Sequence, residues 1–141
     1  MFDRTGYKIS EFKISEEGKG YNACTFVINN LRIIYRHAKI TPAKKGQFVT
    51  LWKRNLSGIT TPFDLSDEFD LVIINVSIIN NNGFFIFPKE ALNSNSIISG
   101  NGKKGKRGFR LYAPWDKVEN RQAVVSQHWQ AAYFSEMPQL K

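Results

Sequence analysis

The sequence has no second cysteine: Cys24 stands alone in 141 residues, so neither an internal disulfide nor a cysteine-rich zinc site can form. A reducing, cytoplasmic location is the expectation that follows. No apolar run approaches the roughly 20 residues of a membrane span, and Met1 to Gly6 lacks the apolar core of a secretory signal, so no membrane insertion is expected. The usual hydrolase signatures are missing as well. There is no Gly-x-Ser-x-Gly, no His-Glu-x-x-His, and no Gly-Lys-Ser/Thr ending that would turn Lys103 to Gly108 into a P-loop.

The most telling absence is of acid. Gly18 to Phe63 contains no Asp or Glu but eight basic residues, and Ala91 to Trp115 contains none but five. These two spans hold thirteen of the chain's twenty Lys and Arg, while the net charge of the whole is only +8. Segregated charge of this kind focuses a field on one partner, whereas scattered excess lysine mainly serves solubility. The partner predicted from it is a phosphate backbone, DNA or RNA. The predicted binding residues are Arg36, Lys39, Lys44, Lys45, Lys53 and Arg54 from the first span, and Lys103, Lys104, Lys106, Arg107 and Arg110 from the second. Trp52 and Trp115 are added as aromatic platforms on which bases could stack.

Length and a 42% hydrophobic composition suit one core, so residues 1–141 read as a single domain. The segment 1–20 is polar and peripheral. Cys24 to Ile28 and Arg32 to Ile40 form a hairpin about Asn29-Asn30, and Gln47 to Lys53 reads as a third antiparallel strand. Phe69 to Ile79, nearly all Val, Ile, Leu and Phe, has the pattern of a central strand buried on both faces, with Asn80 to Gly83 turning the chain into Phe84 to Phe87. A short helix begins at Pro88, and 94–108 is a glycine-, serine- and lysine-rich loop expected to be mobile. Asn120 caps a last helix in which Val125, Trp129, Ala132 and Tyr133 share a face. The fold class is α/β in the α+β sense, a mixed, mostly antiparallel sheet with flanking helices.

Tyr35 to Pro42, Gly46 to Arg54, Phe84 to Lys89, Tyr112 to Trp115 and Gln127 to Gln130 resemble the MepB-like family, and the similarity spans most of residues 21 to 134. The family is named for a gene beside a multidrug efflux pump in staphylococci, so an accessory that binds a protein partner is a further alternative. The resemblance implies a core like that of type II restriction endonucleases, which hold Mg²⁺ with an Asp on one strand and a Glu-x-Lys on the next. Here the matching positions are Asn30 and His37-Ala38-Lys39. His37 and Lys39 are the candidate catalytic residues of that alternative, a divergent nuclease, with Glu16, Glu17 or the Asp64 to Asp70 acids as substitute carboxylates. An amide and an imidazole supply no negative charge for Mg²⁺. The favoured expectation is therefore a degenerate nuclease-like domain that binds nucleic acid with little sequence preference, without metal or cofactor.

Overall fold

The computed structural model describes residues 9–15 and 19–136. A six-stranded sheet forms the base, in the order β1 (Ile9–Ile14), β2 (Cys24–Ile28), β3 (Leu31–His37), β8 (Leu71–Ile78), β9 (Asn81–Pro88) and β11 (Phe134–Glu136). Neighbours are antiparallel except β3 and β8, which run parallel with Ile33 opposite Leu71 and His37 opposite Asn75. A parallel pair needs a crossover, and here it is made of strands. After β3 the chain forms β4 (Lys39–Ile40), β5 (Gln47–Thr50), β6 (Trp52–Arg54) and β7 (Thr60–Pro62) before it returns to β8. The smaller three-stranded sheet has the order β10-β5-β4, where β10 is Gly108–Leu111, and β6 pairs with β7 as a separate ribbon.

The hairpin about Asn29-Asn30 is present, and its turn has φ of 50° and 66° at the two asparagines. Both positive angles define the type I′ geometry that matches strand twist, and asparagine tolerates them better than most residues. The second strand is not continuous to Ile40, however. β3 ends at His37, Ala38 is buried with its N–H on Asn75 O (2.9 Å), and Lys39 enters the other sheet. The third strand likewise joins β4 and β10 rather than β3. Its sequence divides at buried Leu51, which separates β5 from β6.

The core lies between the two sheets. Val72, Ile74 and Val76 of β8 and Phe85 and Phe87 of β9 meet Val49, Leu51, Phe109 and Leu111 of the smaller sheet's strands and their flanks. Phe87 is its aromatic hub, with ring centroids 5.4 Å from Phe85 and Trp129, 5.7 Å from Tyr133 and 6.2 Å from Phe109. The prediction that β8 is covered on both faces is corrected: Leu71 and Ile73 on the other face are only half-buried. The turn after β8 also comes earlier than expected, at Ile79-Asn80, with Asn81 to Gly83 already in β9.

Helix α1 (Lys89–Ser94) starts directly after Pro88, as the sequence suggested. The following segment is pinned to the fold at many points. Ile97 and Ile98 are buried, Asn93 Nδ2 donates to Ile98 O and Gly100 O, Lys106 N donates to Ile97 O, and Gly105 N donates to Ser99 Oγ. Helix α2 (Arg121–Ala131) has Asn120 as its cap, its Oδ1 accepting from Ala123 N at 2.8 Å. Of the predicted inward face, Trp129 and Tyr133 pack against the core. Val125 and Ala132 are exposed, and Ala123 and Gln130 are buried instead. Among the described residues no helix is long and apolar enough to cross a membrane.

Gln130 explains the polar face. Its Nε2 donates to Arg110 O (3.0 Å) and its Oε1 accepts from Tyr112 N (2.8 Å), so one side-chain amide satisfies both backbone groups on the outer edge of β10. Gln127 Nε2 extends the pattern to Ala113 O and Asp116 O, both at 2.9 Å. Gln130→Leu keeps the volume but strips an N–H and a C=O of their partners. Urea unfolding is expected to show a loss of about 2 to 4 kcal/mol from the two groups together.

Candidate nucleic-acid interface

β5 and β10 pair Gln47 with Leu111, Phe48 with Arg110, Val49 with Phe109 and Thr50 with Gly108. Each strand belongs to one of the two acid-free spans, so the ladder sets them side by side. The loop before β5 brings Lys44 and Lys45, and β10 and its approach bring Arg110 and Lys106. All four line one open groove of about 550 Å³ between that loop, β10 and α2. Phe109, Tyr112 and Trp129 give it an aromatic floor, and Asn120, Gln122, Ala123 and Ser126 bring the start of α2 to its wall. An N-terminal helix end adds partial positive charge to the same space. Among the described residues, Glu119 is its one carboxylate.

The loop shape depends on Gly46. Its φ is +75°, and a Cβ there would lie 2.4 Å from Leu111 O and 2.8 Å from the Tyr112 ring, so only glycine fits. Arg110 is held across the loop: its Nη1 donates to Thr41 Oγ1 (2.9 Å) and Lys45 O (3.0 Å), and its guanidinium lies 5.8 Å from the Phe48 ring centre. One guanidinium edge thus organises the backbone that carries Lys45.

A second concavity adjoins the first and shares Lys106. Lys104, Gly105, Lys106 and Arg107 face Thr60, Thr61 and Pro62 of β7, and Arg107 Nη1 donates to Thr60 Oγ1 at 3.3 Å. Leu51 N donates to Arg107 O, which fixes the β6–β7 ribbon beside this loop. Arg54 and Trp52 follow on the ribbon, the guanidinium 5.4 Å from the indole centre. Lys103 is exposed, with its Nζ on Ser94 O (2.8 Å).

Four sequence-predicted residues fall outside this surface. Arg36 is only 2% exposed, its Nη1 donating to Tyr35 O, and a side chain so enclosed meets no phosphate. Lys53 forms an ion pair with Asp67, which lies beyond the acid-free span. Lys39 is exposed but directed over the Tyr21 ring, 4.7 Å from its centre. Trp115 packs edge-on against Phe134 with centroids 5.4 Å apart, so it serves the core rather than a base.

Asn30 and His37, the positions that match the nuclease pattern, are not neighbours. Asn30 sits in the turn before β3 and His37 at its far end, which at about 3.3 Å per residue separates them by roughly 20 Å. The Asp64 to Asp70 acids are engaged locally. Asp64 Oδ2 accepts from Ser66 N and Oγ, Asp67 Oδ2 from Asp64 N, and Asp70 Oδ2 from Arg32 N. The two bonds from Ser66 hold the Asp64 carboxyl below its ordinary range, with Lys53 and Lys89 nearby adding to the effect. Among the described residues no three His, Cys, Asp or Glu are grouped so as to hold a metal ion. Glu16 and Glu17 lie outside the described residues.

Sequence reasoning did not place Tyr112, Gln122 or Ser126 at the groove, and read Trp129, which packs against the core, only as a core residue. The Asn120 cap signalled a helix N-terminus, but only the amide pairing of Gln130 with β10 aims that end at the groove.

A sequence model of the MepB-like family matches residues 15–136. The crystal structure of MepB is similar at 30% identity and a TM-score of 0.89, covering 94% of this chain and 89% of that one. The structure of a bacterial homing endonuclease aligns at 12% identity and a TM-score of 0.49, over 87% and 76% of the two chains. A search of curated proteins finds no match.

Asp116 borders this region and reports on it. Burial pushes its carboxyl up, against the opposing pulls of the Ala113 N–H and the Lys45 ammonium. A carboxyl raised by folding stabilises the fold below its unfolded pKa and loses that contribution as pH rises through the folded value. Asp116→Asn keeps an acceptor for Ala113 N without the charge. It is expected to be more stable than the parent at neutral pH, the difference closing as pH falls through the raised pKa, as followed by urea unfolding between pH 7 and 3.

Proposed function

This chain belongs to the MepB-like family, and we propose that it is a nucleic-acid-binding protein that grips the phosphate backbone of DNA or RNA with weak sequence preference. The observation that carries this reading is the convergence of Lys44, Lys45, Lys106 and Arg110 on one groove from two acid-free spans distant in sequence. Lys104 and Arg107 continue the charge into the adjoining concavity. Contacts of lysine and arginine with phosphate position a protein without reading sequence. The aromatic floor of the groove suits the face of any base, which again favours tolerance over selectivity. A cytoplasmic location belongs to the same reading and is supported by the lone, buried Cys24.

Binding of this kind releases counterions, so affinity falls steeply with salt. The variant Lys44→Ala, Lys45→Ala, Lys106→Ala is expected to flatten the slope of log K against log salt by about 0.9 per lysine on duplex DNA or about 0.7 on single strands. Lys13→Ala on β1, away from the groove, is expected to leave the slope unchanged. Fluorescence anisotropy over a salt series measures both. No complex with DNA or RNA at low salt would remove the proposal.

A further inference from the structure

The β6–β7 ribbon ends in Asn55-Leu56-Ser57-Gly58-Ile59, and this tip is stiff. Asn55 Oδ1 accepts from Ser57 N (2.9 Å) and Ile59 N (3.0 Å), Asn55 N donates to Ile59 O, and Gly58 N donates to Asn55 O. Gly58 takes φ +79°, the left-handed residue that closes a three-residue hairpin loop, and Arg54 Nη1 bonds its carbonyl at 2.9 Å. The result is a fixed corner with Leu56 at its apex. Leu56 is fully exposed and Ile59 is 61% exposed, so neither gains a substantial contact within the fold.

We propose that Leu56 is an apolar wedge that enters a base step of duplex DNA from the minor groove. This inference rests on the nucleic-acid reading above and adds a specific act to it. The tip rises about 7 Å beyond Arg54, two residues along a strand. Arg107 is tied to the tip end of the ribbon through Thr60, which pairs with Arg54, and Lys104 lies in the concavity beside it. The surface therefore sets cations around a projecting hydrocarbon, the complement of a polymer with phosphates outside and stacked bases inside. Wedges of this type unstack a step and kink the duplex, and a preformed turn presents one with little ordering cost. An anionic membrane shares the charge pattern, but a single leucine and its neighbour offer too little apolar surface for stable anchoring.

The experiment uses the full chain and a short duplex carrying 2-aminopurine, whose emission rises when its step unstacks. The parent is expected to raise emission on binding, and Leu56→Ala to abolish the rise while losing affinity by roughly 10-fold or less, because the burial forgone is offset by unstacking avoided. Its salt slope should match the parent's. Leu56→Phe is expected to restore the rise. If the parent binds duplex with no change in emission, or Leu56→Ala raises it equally, the wedge is overturned and the phosphate reading stands. If the parent binds no nucleic acid at low salt, or binds only anionic vesicles run in parallel, both readings fall.

Discussion

The antiparallel pairing of β5 with β10 is the constraint on which the surface depends. It joins two strongly basic segments that lack any acid to neutralise each other, so electrostatics alone would keep them apart. The magnitudes decide otherwise. Exposed like charges in water oppose one another by tenths of a kcal/mol to about 1 kcal/mol per pair. Full burial of a Val, Leu or Phe side chain contributes about 1.5 to 3 kcal/mol. Val49, Leu51, Phe109 and Leu111 all lie in the core along this ladder, so hydrophobic burial fixes the strands and the lysines are carried along. The charge concentration is thus held by the core rather than opposed to it.

The same ladder needs its outer edge closed, and a helix with a polar inward face does this. A purely apolar stripe on α2 would have left Arg110 O and Tyr112 N without partners. Gln130 supplies both, and in doing so fixes the helix start beside the groove. Amide side chains are used in this way elsewhere: Asn75 Nδ2 donates to Asn82 Oδ1 and Gly83 O, and Asn93 anchors the loop after α1. Asn75 ties β8 to β9, whereas Gln130 and Asn93 hold β10 and the loop after α1, the segments that carry the second group of basic residues.

Strands β2, β3, β8 and β9, the Asn29-Asn30 hairpin, the Asn120 cap and the MepB-like family were legible because each rests on local chemistry, whereas β1, β7 and β11 were not read as strands. What was not legible came from contacts far apart in sequence. Alternation put His37 and Lys39 on one face, but the pairing of Ala38 with Asn75 ends β3 and sends Lys39 to another sheet. Helical spacing favoured Val125 over Gln130, because hydrophobicity cannot register an amide that buries itself by replacing a strand neighbour. Charge counting found the two spans that β5 and β10 set side by side but could not tell an exposed cation from a paired or enclosed one.

That distinction gives the acidic loop its role. Asp64, Asp67 and Asp70 lie outside both basic spans, yet Asp67 pairs with Lys53, and Lys89 Nζ is drawn to Leu65 O and Asp67 O. The loop is therefore tied to cations on one side of the ribbon, where it organises the return of the chain to β8. On the other side, Lys104, Lys106, Arg107, Lys44 and Lys45 are exposed, and none of them appears in an ion pair with a described carboxylate. Neutralising charge locally on one side while leaving it on the other turns a merely basic protein into one with a direction. A solubility function would gain nothing from that division, whereas a polyanion approaching one face would.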